Sequence, residues 1–303
     1  ITGNKIYPTY SLPKLMWLKE NQPAVYRQTF KFLQPKDYLV CQLTGVFATD
    51  YSDGSGTAAL DIAGRCWSKE LLTLAALDVD KLPDLRSSFE VVGSVTEAAA
   101  RQCGLAAGTP VVIGAGDGPC GNLGAGVYTH GRAYLYLGTS SWVSVASPQM
   151  ITDPARVLFN ICGVDPSMVY VYGTMQMGGG SFEWAKDTIG VPEKQFAELT
   201  GEDPFLYLND QAEVSPPGSR GLVFLPYLRG ERSPRWNIDA KGAFIGLTAS
   251  HTRGDMIRSV LEGVSYNLKV VRDAIDSQGS VVKEMRAIGG GAESRLWRQI
   301  FAD

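Results

Sequence analysis

The chain has 303 residues, 45% of them hydrophobic, and a formal net charge of -3. This length favours two domains, and the apolar content is sufficient for two ordinary cores. The nearly balanced charge gives no basic footprint for nucleic acid or an anionic membrane, and no apolar run approaches the roughly 18 residues of a membrane-spanning helix. Because the first residues also lack the features of a signal peptide, we expect a cytoplasmic protein whose partner is a small molecule.

The cysteine and histidine content argues against disulfide and metal chemistry. The five cysteines are widely spaced and form no CxxC pair, and the chain has only two histidines. This pattern disfavours both a disulfide framework and a zinc site. No serine lies in a GxSxG elbow, so a hydrolase of that type is also disfavoured. We predict no metal ligands in the chain.

The N-terminal region predicts helices followed by a loop. Residues 11–45 carry apolar residues at helical spacing, interrupted by Pro23 and Pro35 and ended by Gly45. Residues 50–61 are rich in glycine, serine and threonine, which is typical of a loop.

Further along the chain, predicted strands alternate with predicted helices, and this alternation indicates an α/β fold. The predicted order is a helix at 69–77, a helix at 96–105, a strand at 110–116, a hairpin at 131–147, a strand at 169–175, a helix at 181–190, a polar surface excursion at 200–221, a long helix at 251–276 and a strand, glycine turn and helix at 281–303.

Three glycine turns follow predicted strands: Gly138–Ser141, Gly178–Ser181 and Gly289–Ala292. Two of them lead into helix N-termini, where free amides and the helix dipole favour an anion such as phosphate. The hairpin turn offers another nest of amides for the same purpose. Any one of these turns could be an ordinary tight connection, but three together favour a phosphate-binding site.

The stretch "VVIGAGDGPCGNLGAG" places one carboxylate, Asp117, among six glycines. Glycine allows a ligand to approach the backbone closely, so we interpret Asp117 as presented to a ligand; a helix N-cap is the alternative. Gly116, Gly118 and Gly121 also match the GxGxxG pattern of dinucleotide-binding folds. That fold requires an acidic residue about 20 positions later, and none lies between Gly118 and Pro148, so it is disfavoured.

Two stretches resemble the signatures of a known family. The segment "GAFIGLTASHTRGDMIRSVLE" (242–262) is similar to the second signature of the FGGY family of carbohydrate kinases, and "YSLPKLMWLKEN" (10–21) resembles its first signature around Lys14 and Trp17. Thr9 departs from the first signature. The stretches "PKDYL", "TGVFATDYSDGSGT" and "IGGGAESRLWRQIFAD" are most similar to the xylulose kinases of this family.

The resemblance implies two RNase H-like domains, as in actin and hexokinase, that close on ATP and a sugar held in the cleft. Residues 1–127 would be the remainder of the sugar-binding domain, and residues 128–303 a truncated nucleotide-binding domain. No stretch matches the Asp-x-Gly-Thr phosphate loop with which these kinases begin, and they continue beyond the last helix of this chain. The resemblance therefore implies the central part of a longer kinase.

The same resemblance implies roles for individual residues. Asp117 matches the catalytic base, which accepts the proton of the sugar hydroxyl during phosphoryl transfer. Xylulose kinases usually place asparagine after this aspartate, where it helps to bind the sugar; here Gly118 occupies that position. The matches for nucleotide binding are Gly138, Thr139, Ser140, Gly179, Glu183, Gly290, Gly291 and Arg295. The loop 229–234 is expected to be structural rather than catalytic.

The predicted function is ATP-dependent phosphorylation of a sugar, with D-xylulose as the leading substrate and Mg²⁺ bridging the nucleotide phosphates. Ribulose, gluconate or glycerol are alternative substrates, and a non-catalytic sugar or nucleotide sensor is an alternative function. We expect no nucleic-acid or membrane partner, and the resemblance leaves a homodimer open.

Overall fold

A computed structural model describes residues 1–152, 157–233, 235–280 and 282–303. The chain divides into two units: Ile1–Arg132 with Val145–Val171, and Ala133–Ser144 with Tyr172–Asp303. The domain division at residue 127 that the sequence suggests stays a prediction.

The first 124 residues form short helices and two- or three-residue strands, with one strand of four. In chain order these are α1 Ser11–Asn21, α2 Pro23–Gln28, α3 Pro35–Thr44, β1 Ala48–Asp50, α4 Tyr51–Gly56, β2 Leu60–Asp61, β3 Cys66–Trp67, α5 Lys69–Leu74, β4 Asp84–Arg86, β5 Val91–Ser94, α6 Glu97–Cys103, β6 Pro110–Val112 and α7 Asp117–Gly124. Strands β1 and β4 pair in parallel, whereas β2 with β3 and β5 with β6 are antiparallel pairs.

The remaining elements have longer strands and helices. They are β7 Arg132–Leu137, β8 Ser141–Ser147, β9 Phe159–Cys162, β10 Val169–Met175, α8 Gly179–Thr188, α9 Val191–Thr200, α10 Pro204–Val214, β11 Val223–Leu225, β12 Ala243–Ile245, α11 Arg253–Asp276, β13 Glu284–Ile288 and α12 Arg295–Ala302. Five of these strands form one sheet with the order β13-β7-β8-β10-β9.

The residues predicted to begin or end helices have the backbone and hydrogen-bond geometry expected of helix ends. Pro23 and Pro35 begin α2 and α3, where the missing N–H of proline has no cost, and Gly45 ends α3 in the left-handed conformation at φ 80°. The side chain of Thr96 accepts the backbone N–H of Ala99 and so caps α6. The predicted boundaries of these three helices therefore agree with the structure.

Helix α11 lies at the centre of the second unit. It begins with a capping box in which Thr252 and Asp255 satisfy each other's backbone N–H groups. Apolar residues at helical spacing, among them Ile257, Leu261 and Leu268, are no more than 2% exposed. They form a buried stripe along 24 residues, which explains why this was the longest helix in the sequence pattern.

Two predicted loops contain helices. Residues 51–56 form α4, because the buried carboxylate of Asp50 accepts the N–H groups of Ser52 and Asp53 and overcomes the low helix propensity of glycine and serine. The predicted surface excursion at 200–221 contains the three-turn helix α10, capped by Asp203 and started by Pro204. Both corrections affect the site described below.

No helix in the described part of the chain has an apolar stretch long enough to span a membrane.

Candidate functional site

Asp117 is the first residue of α7 and follows the glycine loop directly. The N-cap position belongs to Gly116, and no side chain makes a capping hydrogen bond there. The Oδ1 atom of Asp117 accepts the N–H of Gly118 at 2.7 Å, and the Asp117 side chain is exposed. The geometry thus differs from that of an N-cap and presents an exposed carboxylate at a helix N-terminus.

The loop that precedes Asp117 is held by hydrogen bonds at almost every residue. The N–H of Gly114 donates to the backbone carbonyl of Ser88 at 3.0 Å, and the N–H of Gly116 donates to Ser52 Oγ at 3.0 Å. The ammonium of Lys36 donates to the carbonyl of Ile113 at 3.4 Å. The start of α7 is therefore fixed by residues that are distant in sequence.

Lys36 also forms ion pairs with three carboxylates near this loop. Its Nζ lies 2.8 Å from Asp37 Oδ1, 3.3 Å from Asp50 Oδ1 and 3.5 Å from Asp53 Oδ2. Burial raises the pKa of Asp53 to about 6, and the charge of Lys36 only partly offsets this effect. Burial alone would lower the pKa of Lys36, but the hydrogen bond and charge of Asp37 and the charge of Asp50 raise it.

In the second unit, a cavity of about 270 Å³ opens between α8, α10, the β7–β8 turn and the glycine turn before α12. We call it the turn pocket. Its lining residues are Leu137, Gly138, Thr139, Gly179, Phe182, Glu183, Asp203, Phe205, Leu206, Asn209, Gly290, Gly291, Glu293, Ser294 and Trp297. Six of the eight residues predicted for nucleotide binding line it, whereas Ser140 and Arg295 do not.

The glycine turn before α8 is bonded to the β7–β8 turn. The N–H groups of Gly178 and Gly180 both donate to the carbonyl of Thr139 at 3.0 Å, and that of Gly179 donates to the carbonyl of Gly138 at 2.7 Å. These amides are therefore not free to bind phosphate, contrary to the sequence interpretation of this helix N-terminus. Within the described residues, the backbone amides of Thr139 and Ser140 donate no hydrogen bond, and neither do those of Gly290 and Gly291 at the turn before α12, so these amides remain available to an anion.

Close packing explains why these turns consist of glycine. A Cβ atom on Gly179 would lie 2.6 Å from the carbonyl oxygen of Gly138, and one on Gly291 would lie 2.9 Å from both Leu137 Cβ and the ring of Trp297. Gly290 differs, because a Cβ atom there would meet no protein atom within 4 Å. Gly290 is therefore the glycine at which a side chain would enter the turn pocket without a clash.

Helix α10 forms the wall of the turn pocket that the sequence interpretation missed. It contributes Phe205, Leu206 and Asn209, and Asn209 Oδ1 accepts the hydroxyl of Ser294 at 2.7 Å. The signal was present in the sequence: an Asp-Pro helix start followed by apolar residues at positions 205, 208 and 212, of which the last two are fully buried.

Glu183, a predicted nucleotide contact, forms an ion pair with Lys186 one turn later on α8. The Lys186 ammonium also lies 5.2 Å from the centre of the Phe205 ring, within the range of a cation–π contact. The carboxylate of Glu183 is thus oriented by Lys186 at the edge of the turn pocket.

The loop 229–233 contains a buried acid that sequence analysis did not single out. Glu231 Oε1 accepts the N–H groups of Gln176 and Arg232 at 3.0 and 2.6 Å, and Oε2 accepts the amide of Asn267 at 2.9 Å. Burial raises the pKa of Glu231 to about 7 despite these three donors. The contacts join this loop to β10 and α11, as a structural loop would. Pro234 lies outside the described residues.

Glu231 should make stability depend on pH. Because its folded-state pKa exceeds its ordinary value of 4.5, the native state binds more protons than the unfolded state between about pH 4.5 and 7, and stability falls as pH rises through this window. Between about pH 4.5 and 7, the free energy of unfolding of the wild type should fall by up to about 3 kcal/mol more than that of Glu231→Gln. Urea unfolding at several pH values measures this difference. The exposed Glu213→Gln serves as control, and a difference for Glu231→Gln that stays constant with pH would contradict the prediction.

The described residues contain no group of three or more His, Cys, Asp or Glu side chains suited to hold a metal ion. They therefore do not fit a metal site formed by this chain alone.

Two protein-family models match the chain. The N-terminal domain of the FGGY family of carbohydrate kinases matches residues 1–124, and its C-terminal domain matches residues 133–303. The chain belongs to the FGGY family. The family resemblance noted in the sequence is thereby confirmed.

Relatives in the FGGY family include enzymes for different sugars. The chain is 37% identical to a xylulose kinase of Escherichia coli (strain K12), over all of this chain and 60% of the relative. It is 35% identical to a gluconokinase of Bacillus subtilis (strain 168), over all of this chain and 59% of the relative. The chain thus spans about 60% of the length of these relatives.

Solved structures of FGGY kinases have the same fold. A xylulose kinase from Rhodospirillum rubrum superimposes with a TM-score of 0.90 at 31% identity, covering 100% of this chain and 59% of that one. A gluconate kinase from Lactobacillus acidophilus gives a TM-score of 0.89 at 31% identity, covering 99% and 59%. The predicted α/β fold class is confirmed.

Proposed function

We propose that the protein containing this chain is an ATP-dependent sugar kinase. The observation that carries the proposal is the turn pocket: Thr139, Gly179 and Gly291 come from three turns separated by up to 152 residues and line one cavity. Apolar walls from α8 and α10 suit a nucleoside, and a phosphate suits the amide of Thr139, which lines the cavity, together with that of the next residue in the turn, Ser140. Membership of the FGGY family of carbohydrate kinases supports this assignment.

Asp117 is the proposed general base. The sugar hydroxyl oxygen would form a bond to the γ-phosphorus of ATP while the bond to the ADP oxygen breaks, and the hydroxyl proton would pass to the Asp117 carboxylate. Its exposed position at the start of α7 leaves Oδ2 accessible to a hydroxyl, while the N–H of Gly118 orients Oδ1. Because the part of the chain that the structure describes contains no acidic, histidine or cysteine cluster suited to a metal ion, we assign no step to Mg²⁺, which would arrive bound to the nucleotide.

D-Xylulose is the proposed substrate, and gluconate is the second candidate. The xylulose kinase at 37% identity supports D-xylulose. Gluconate is favoured by the gluconokinase at 35% identity. It is also favoured by Gly118, because glycine lacks the side-chain amide of the asparagine that xylulose kinases usually place after the catalytic aspartate.

An ADP-release assay tests the proposal. The full-length protein, meaning the natural protein that contains residues 1–303, is offered ATP with D-xylulose, ribulose, gluconate or glycerol. We expect turnover with one acceptor to exceed the others by at least about tenfold, a difference of about 1.4 kcal/mol in transition-state binding. Nucleotide binding without turnover on any acceptor would favour a sensor and overturn the kinase proposal.

Gly290→Val should weaken ATP binding selectively. Gly290 lines the turn pocket and a Cβ atom there would meet no protein atom within 4 Å, so the fold should persist while the added side chain obstructs the nucleoside. We expect the Kd for ATP to rise about tenfold or more, equivalent to about 1.4 kcal/mol, with the KM for sugar little changed.

Isothermal titration and steady-state kinetics measure these constants. Gly56→Val is the control, because it also adds a side chain at an open glycine but lies on α4, outside the turn pocket. Unchanged ATP binding in Gly290→Val would show that the nucleoside lies elsewhere. Gly291→Val is unsuitable as a probe, since it clashes with Leu137 and Trp297.

A further inference from the structure

One hydroxyl connects helix α4 to the loop before Asp117. Ser52 Oγ accepts the N–H of Gly116 at 3.0 Å, although the two residues are 64 positions apart in the chain. Gly116 is the N-cap of α7 and the immediate neighbour of Asp117. The position of the Asp117 backbone therefore depends on a side chain that no sequence motif connects to it.

Ser52 is itself fixed by a buried carboxylate. Its hydroxyl donates to Asp50 Oδ2 at 2.6 Å, and the same oxygen accepts the Ser88 hydroxyl at 2.7 Å and the Ser52 N–H at 3.0 Å. The Oδ1 atom of Asp50 lies 3.3 Å from Lys36 Nζ. Because Asp50 is fully buried and its charge is paired, the Ser52 hydroxyl hydrogen points to Asp50 and its lone pair faces the Gly116 amide.

A second contact limits where Gly116 can move. The Oδ1 atom of Asp53 lies 2.9 Å from the point at which a Cβ atom of Gly116 would stand. The carboxylate of Asp53 thus packs against the glycine on one side while Ser52 holds its amide. Gly116 has little freedom to shift without breaking one of these contacts.

We propose that Ser52 is a positioning residue for Asp117: it fixes the N-terminal turn of α7 and thereby sets the place of the catalytic carboxylate. This inference rests on the proposed function of Asp117 as general base. A base displaced by about 1 Å can lose about 10²-fold in rate, so one hydrogen bond at this point has a catalytic effect beyond its stability effect.

The test compares three alanine variants in the full-length protein. Ser52→Ala removes the acceptor of the Gly116 amide. Ser55→Ala removes a hydroxyl from the same helix at the same 2% exposure, but its partners are the N–H of Cys162 and the carbonyl of Tyr51. Ser88→Ala removes the other hydroxyl on Asp50 Oδ2 and leaves the bond between Ser52 and Gly116 in place.

We expect Ser52→Ala to lower kcat about 10- to 100-fold with the KM for sugar changed much less, while Ser55→Ala and Ser88→Ala stay within about threefold of wild type at comparable losses in Tm. Amide hydrogen exchange supplies a readout that does not depend on activity. The Gly116 amide should exchange faster in Ser52→Ala only. Equal losses of kcat in all three variants, or an unchanged Gly116 exchange rate in Ser52→Ala, would overturn the proposal.

A double-mutant cycle separates this inference from the assignment of the base. If Ser52 acts through Asp117, adding Ser52→Ala to Asp117→Asn should reduce kcat by less than about threefold further. A full additional loss would overturn the positioning role while the base assignment stands. If Asp117→Asn alone keeps wild-type turnover, the base assignment fails, and a slow kcat in Ser52→Ala then refutes action through Asp117 as well.

Discussion

Asp117→Asn in the full-length protein is expected to lower kcat by about 10²–10⁴-fold, the range that general-base assistance usually supplies. Asparagine is nearly isosteric and its amide oxygen can still accept the N–H of Gly118, so the fold and most of the sugar affinity should remain. It cannot accept the proton of the hydroxyl. The KM for sugar should therefore change much less than kcat.

Helix α6 offers a matched control for the lost charge. Glu97 is the first residue of α6, as Asp117 is of α7, and it is equally placed to interact with a helix dipole. Each variant should lose about 0.3–1 kcal/mol of stability from this interaction, but Glu97→Gln should keep wild-type turnover. Steady-state kinetics and thermal melts of both variants are the measurements. Turnover of Asp117→Asn within a few-fold of wild type would mean that the base lies elsewhere.

Glu262→Ala is expected to destabilise the protein by about 3–5 kcal/mol, because it leaves the buried charge of Arg258 without a carboxylate and with only the carbonyl of Ser215 as acceptor. Arg258 Nε lies 2.7 Å from Glu262 Oε1, and both side chains are at most 7% exposed. Glu262 also accepts the N–H of Gly218 at 2.9 Å and the hydroxyl of Ser219 at 2.8 Å, so the substitution frees those groups as well.

The same helix contains the control for this prediction. Lys269 and Asp273 form an exposed pair with the same four-residue spacing as Arg258 and Glu262. Asp273→Ala should cost only about 0.3–0.5 kcal/mol. Urea unfolding monitored by circular dichroism gives both values. A loss below about 1 kcal/mol for Glu262→Ala would show that water reaches Arg258 and that the pair is not effectively buried.

These contacts also explain the signature at 242–262 physically. Thr252 and Asp255 form the capping box of α11, and Arg258 with Glu262 holds the loop before β11. The described contacts of these four side chains are thus structural. The signature identified the family, and its residues stabilise the unit that carries the turn pocket.

Local sequence signals predicted much of the fold because they act within a few residues. Pro35 and Gly45 mark the ends of α3 through backbone geometry alone, and the turn after Leu137 follows from its glycine and hydroxyl residues. The helix α4 was missed because its stability comes from the buried carboxylate of Asp50. Glycine and serine have low helix propensity, so the sequence predicts a loop. The buried Asp50 carboxylate needs hydrogen-bond donors, and the N–H groups of a helical turn supply them.

The candidate site was predictable in part for the same reason. Glycine turns can be read from the sequence, and six of the eight predicted residues line the turn pocket. The bonds of Gly178, Gly179 and Gly180 to the β7–β8 turn join segments about 40 residues apart, and no local pattern records such a pairing. The contact between Ser52 and Gly116 was unpredictable on the same ground.

The walls of the turn pocket differ in how well they tolerate substitution. A Cβ atom on Gly178, Gly179 or Gly180 would lie less than 3 Å from an atom of the β7–β8 turn, so substitution there forces the two turns apart. Phe205 and Leu206 on α10 are partly exposed and are not constrained in this way. Directed libraries that test the proposed nucleotide site by altering its donor specificity should therefore vary α10 and leave the glycines untouched.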